Sequence, residues 1–154
     1  MLSILQAETE DDVATVRDLF REYQRWVNID LGFQDFESEV ANLPGPYAAP
    51  AGRLLLAKLG GAAVGCIALQ PRNKDECEMK RLYVRAESQG KGVGRQLVDH
   101  LISEARRLGY RRIVLDTLPV MATAQRMYES LGFKEIQAYR YNPVPGARYL
   151  ALDL

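Results

Sequence analysis

The run Leu82-Tyr83-Val84-Arg85-Ala86-Glu87-Ser88-Gln89-Gly90-Lys91-Gly92-Val93-Gly94-Arg95 carries the most chemistry in this sequence. A strand-like stretch ends, glycines alternate at 90, 92 and 94, and a helix-like stretch begins at about Gly92. Glycine reaches positive φ at little cost and lets backbone come close to a ligand. Free N–H groups at a helix start form a seat for phosphate oxygens. Between residues 80 and 95 there are five bases (Lys80, Arg81, Arg85, Lys91, Arg95) and one acid (Glu87), a local excess of four. A bare tight turn and a seat for a polyanion both fit. Two phosphate loops do not. A dinucleotide fingerprint needs a third glycine where Arg95 stands, and a P-loop needs Ser or Thr where Gly92 follows Lys91.

The chain around this turn has 154 residues, 20 basic and 20 acidic. That length fits a single domain over residues 1–154, able to bury roughly 70% of its unfolded surface without disulfides. The charge balance argues against bulk nucleic-acid binding. No apolar run approaches the ~18 residues of a membrane span. The start, MLSILQAETEDD, lacks the basic region of a secretory signal, so the expected location is cytoplasmic. One His and two Cys do not make a structural zinc site, and no metal is expected.

Spacing predicts the elements that hold the turn. A short strand covers Ser3 to Ala7, and Thr9 caps a helix over residues 10–27 with apolar residues at Val13, Val16, Leu19, Phe20, Tyr23 and Val27. A short helix lies around Asp35 to Leu43. Arg53–Leu59 and Ala63–Gln70 form a hairpin at Gly60-Gly61. A strand follows at Cys77 to Val84, where Met79 and Leu82 are three apart. Period-2 geometry aims both at the core only if an extra residue intervenes, so a bulge is predicted near Lys80-Arg81. After the glycine turn comes an amphipathic helix ended by Gly109, then a strand at Arg112–Asp116 and a helix over 121–131. Two closing strands are expected at Lys134–Tyr139 and Arg148–Leu152. The order β-α-α-β-β-β-α-β-α-β-β implies a mixed α/β fold with a parallel central β-α-β unit.

The segment LYVRAESQGKGVGRQLV resembles motif A of the GCN5-related N-acetyltransferases (GNAT), Gln/Arg-x-x-Gly-x-Gly/Ala, at Gln89, Gly92 and Gly94. Downstream, Ala124 to Phe133 resembles the family's A-x-x-x-Y-x-x-x-G-F signature. The spacing of the two and the element order agree, and the resemblance spans nearly the whole chain. It implies a mostly antiparallel sheet of six to seven strands, splayed in the middle and flanked by about four helices.

The resemblance also implies an acetyl-CoA-dependent N-acetyltransferase, with direct attack of an amine in a ternary complex. Backbone amides of Gln89, Gly90, Lys91, Gly92, Val93 and Gly94 would hold the pyrophosphate. Lys91 and Arg95 would meet phosphates or simply be solvated. The pantetheine arm would pair with the strand at Leu82, Tyr83 and Val84, and the N–H of Leu82 would face the thioester oxygen. Tyr128 would donate to the departing thiolate, although Ala124, Met127, Tyr128 and Leu131 also form a helical core stripe. Glu78 is the candidate base, with Glu76 or a water as its competitors. Many relatives carry Asn where this chain has Met121.

Other residues read more plainly. His100 lies off the core stripe of its helix, and Cys66 and Cys77 read as small core residues. Trp26 reads as packing or rim, and Tyr139 to Pro143 as pocket wall or turn packing. A CoA sensor without catalysis, or a transferase of a longer acyl-CoA, is the alternative. The acceptor, a small-molecule or peptide amine, is not named by the sequence, and neither monomer nor homodimer is favoured.

Overall fold

The Thr9 hydroxyl accepts the N–H of Asp12 at 3.1 Å, and three acids follow at the positive end of the helix it starts. In the computed structural model, which describes residues 1–154, this is α1 (Glu10–Val27), preceded by β1 (Leu2–Gln6). A single 3-10 turn leads into α2 (Phe36–Ala41). Then come β2 (Arg53–Leu59), β3 (Ala62–Pro71), β4 (Glu76–Val84), α3 (Val93–Arg107), β5 (Arg112–Thr117), α4 (Ala122–Ser130), β6 (Lys134–Ile136) and β7 (Arg148–Asp153).

One sheet orders the strands β1-β2-β3-β4-β5-β7-β6. All neighbours are antiparallel except β4 and β5. The mixed α/β fold, its seven mostly antiparallel strands and its four helices are as expected. An apolar core packs on each face. The α3 face gathers Cys77, Met79, Leu97, Leu101 and Tyr128, and the α1 face gathers Val16, Phe20, Phe36, Cys66 and Ala68.

Two features of β4 shape the centre. Cys66 faces Tyr83 and Ala68 faces Lys80, so Ile67 is opposed by both Arg81 and Leu82. This is the expected bulge, and Arg81 takes φ 62° within it. It lets Leu82 pack against the same core as Met79. Farther back, β4 meets β5 only at Glu76↔Arg112, Cys77↔Ile113 and Glu78↔Val114, while β5 runs on beside β7 to Thr117. The sheet therefore opens after Glu78. Most boundaries fall within one or two residues of expectation, and the largest difference is at β6, which stops at Ile136, not Tyr139. The Tyr139 and Arg140 side chains bond to Glu78, a demand that sheet pairing does not make.

Candidate active site

Two adjoining hollows fill the opening between β4 and β5. An outer groove of about 310 Å³ runs past Leu82, Tyr83 and Val84, the turn at Gln89 to Arg95, and Thr123, Ala124 and Met127 of α4. An inner pocket of about 70 Å³ lies between the parted strands, with Lys80 and Arg81 on one side and Leu115 and Asp116 on the other. Trp26, Leu82, Met121 and Ala124 line both.

At one end of the groove, Gly90 and Gly92 take φ 79° and 80°, which side-chain-bearing residues rarely adopt. The N–H groups of Gly90, Lys91 and Gly92 make no backbone hydrogen bond. Those of Val93, Gly94 and Arg95 belong to the first turn of α3, where no preceding carbonyl is available. The turn thus presents consecutive unpaired donors toward the groove.

The wall of the groove is an unpaired strand edge. Arg85 donates its N–H to Val64 O at 2.8 Å, and Tyr83 pairs with Cys66. By antiparallel alternation, the backbone groups of Leu82 and Val84 point the other way, into the opening. The Gln89 side chain confirms that direction by donating to Val84 O at 3.0 Å. Sequence reasoning had given Gln89 only a backbone role.

Tyr128 lines the inner pocket, and its hydroxyl has no protein partner. Burial, with a smaller effect of Tyr23, pushes that phenol above its ordinary range. Its ring also packs on Phe133 at 5.5 Å, so Tyr128 is a core residue that also lines the pocket. Glu78 lies at the vertex of the opening, fully buried. Gln70 Nε2 donates to it at 2.8 Å, the Tyr139 hydroxyl at 2.6 Å, and Arg140 forms an ion pair with it. It is not among the residues lining either hollow, whereas Met121 lines both.

The local excess of positive charge near the turn is largely neutralised by partners outside residues 80–95. Arg81 binds Glu39 of α2, Arg85 binds Glu22 of α1 at 2.7 Å, and Arg95 sits 3.7 Å from Asp99. Lys91 is exposed and outside the groove lining. The thiols of Cys66 and Cys77 are buried, which pushes both up, Cys77 to about 12. Neither is a ready nucleophile. From sequence, Lys80 has a place in the charge excess and at the bulge but no role in the site, and Asp116 is not singled out. A period-2 reading from the level pair Glu78 and Val114, along β4 up to the bulge and along β5, places both on one face.

Residues 13–133 match the model of the acetyltransferase (GNAT) family. The chain belongs to this family. Over 155 residues it is 39% identical to an uncharacterised N-acetyltransferase of Schizosaccharomyces pombe, covering 99% of this chain and 95% of that protein. It is 32% identical over 111 residues to N-acetylaspartate synthetase of Danio rerio, covering 71% of this chain and 39% of that protein. The fold matches an acetyltransferase from Streptococcus agalactiae at TM-score 0.83 and 23% identity, covering 99% and 98% of the two chains. It also matches a GNAT acetyltransferase from Elizabethkingia anophelis with acetyl-CoA bound, at TM-score 0.67 and 19% identity, with the same coverage. GNAT enzymes typically use acetyl-CoA. The unpaired donors at 90–95 suit its phosphates, and the open edge at Leu82 and Val84 suits its amide-bearing arm. No group of His, Cys, Asp and Glu is arranged to hold a metal ion, and no helix is long and apolar enough to cross a membrane.

Proposed function

We propose that residues 1–154 form one catalytic domain that moves acetyl from acetyl-CoA to an amine by direct attack. One observation carries this reading: the unpaired edge of β4 and the free N–H groups of the glycine turn face the outer groove, and the inner pocket that shares Trp26, Leu82, Met121 and Ala124 with it is lined by Tyr128. Acetyl-CoA supplies a thioester. The amides of Gly90 to Arg95 hold its phosphates, with Gln89 bracing the turn. The edge of Leu82 and Val84 aligns its arm, and Tyr83 frames the groove. The Leu82 N–H stabilises the negative charge that develops on the thioester oxygen.

Tyr128 hydrogen-bonds the departing sulfur. Its raised affinity for its own proton makes it a hydrogen-bond donor and not a net acid. Glu78 and its partners Gln70, Tyr139 and Arg140 line neither hollow, so Glu78 holds the vertex of the opening and does not take the amine proton directly. The inert thiols favour direct attack over an acyl-cysteine.

Thermal unfolding with acetyl-CoA, CoA and ATP tests the reading. A ligand at ~100 times its Kd adds about 2.7 kcal/mol, a midpoint rise on the order of 5–11 °C for a domain of this size. A rise with both CoA species but not ATP is expected, and no rise with either sinks the proposal. Binding without thiol release in the presence of any amine points instead to a sensor. In Tyr128→Phe the fold is kept and kcat falls about 10²-fold. A wild-type kcat removes Tyr128 from the chemistry.

A further inference from the structure

Three cations and three anions crowd the face of the sheet beside the opening, and their hydrogen-bonded pairing uses only two of each. Arg81 engages both oxygens of Glu39, through Nε at 2.9 Å and Nη2 at 2.8 Å. Arg140 pairs with Glu78. Lys80 and Asp116 remain.

The Lys80 side chain is only 7% exposed, makes no hydrogen bond and approaches Glu39 no closer than 3.9 Å. Asp116 has no ion pair, and its one side-chain contact is Asn142 Nδ2 at 3.0 Å. Both line the inner pocket. The topology puts them there. Glu78 is level with Val114 in the parallel pair, so Lys80 and Asp116, two residues on, share a face of strands that have already parted. They form no ion pair with each other. A nearly buried ammonium without hydrogen bonds is costly, and a ligand carboxylate is the natural partner to offset it.

On the acetyl-transfer reading above, we propose that the acceptor is a small free amino acid, whose carboxylate is received by Lys80 and whose amino group is received by Asp116. The zwitterion supplies one charge of each sign to a pocket whose Lys80 has only a 3.9 Å contact with a Glu39 already held by Arg81, and whose Asp116 has no ion pair. The pocket's volume holds about five to seven water-sized groups, the scale of a small amino acid. A polyamine or a protein lysine offers nothing to Lys80. In the transfer, the nitrogen forms its bond to the acetyl carbon as the carbon–sulfur bond breaks. Of the two protons lost by the ammonium, one ends on the CoA sulfur and one leaves to solvent through Asp116.

The test measures thiol release from acetyl-CoA with glycine, L-aspartate and L-glutamate, against their carboxamides, ethylamine and spermidine. Calorimetry of the same compounds into the CoA complex runs in parallel. For at least one amino acid, kcat/KM exceeds that of its carboxamide by about 10- to 100-fold. Lys80→Met collapses that ratio toward one, and Asp116→Asn weakens binding of the amino acid in calorimetry. Equal use of carboxamides, preference for spermidine, or no turnover of any amino acid overturns the inference, while acetyl-CoA binding and thiol release with another amine leave acetyl transfer standing. Failure of acetyl-CoA to bind at all removes both.

Discussion

The two faces of β4 are built from the same nine residues and treat water in opposite ways. On the α3 side, Cys77 and Met79 join an all-apolar core. On the α1 side, Glu78, Lys80 and Arg81 are equally buried but charged. Apolar burial stabilises wherever it is well packed. Buried charge is seldom more stable than a hydrophobic isostere, and breaking one partner of a pair is severe. At β4 the α3 face therefore adds stability by apolar burial alone, and the α1 face carries charge at a stability cost.

The sharpest way to break the contrast is Glu39→Ala. It strands Arg81 in the interior and costs about 3–5 kcal/mol, seen as a lower denaturant midpoint. Leu101→Ala on the apolar face costs about 2–5 kcal/mol through its cavity, yet leaves the KM for the acceptor as it was. A stability loss with a parallel change in KM would show that the faces are not independent.

Lys80→Met moves the two quantities apart: stability at pH 7 rises by about 1–3 kcal/mol while acceptor use falls. The pH dependence sharpens this further. Burial, then Arg81, pull the Lys80 ammonium down to about 8, with Arg140 adding to them and Glu39 and Glu78 opposing. Unfolded, the same lysine holds its proton to about 10.5. Between those values the unfolded chain binds more protons, so wild-type stability climbs with pH across that window, and this slope is missing in Lys80→Met. The KM for an amino acid moves the other way, rising above about pH 8 as the anchor loses its charge. Smallest of all is Arg95→Ala, whose exposed pair with Asp99 contributes at most about 0.5 kcal/mol to the fold.

Much of this was legible in the residues. The Met79–Leu82 spacing required an extra residue, and the bulge is there. The glycine turn and the Tyr128 stripe fell on the elements their periodicity assigned. What local reading missed was long-range pairing. The five bases between 80 and 95 look like a positive patch until Glu22 and Glu39, some forty to sixty positions upstream, are brought against Arg85 and Arg81. The end of β6 was misplaced for the same reason, since Tyr139 and Arg140 answer to a glutamate far back in the chain. Glu78 kept its place at the centre of the sheet, but the donors that surround it come from β3 and from beyond β6.

Only three residue pairs join β4 to β5, so the sheet is two panels sewn by a short seam. Strands β1 to β4 make one panel, and β5, β7 and β6 the other. An extended ligand laid along Leu82 and Val84 lengthens that seam from the open end and braces one panel against the other. Amide exchange of the strand segments flanking the seam then slows on loading, which makes the cosubstrate a working part of the scaffold as well as its cargo.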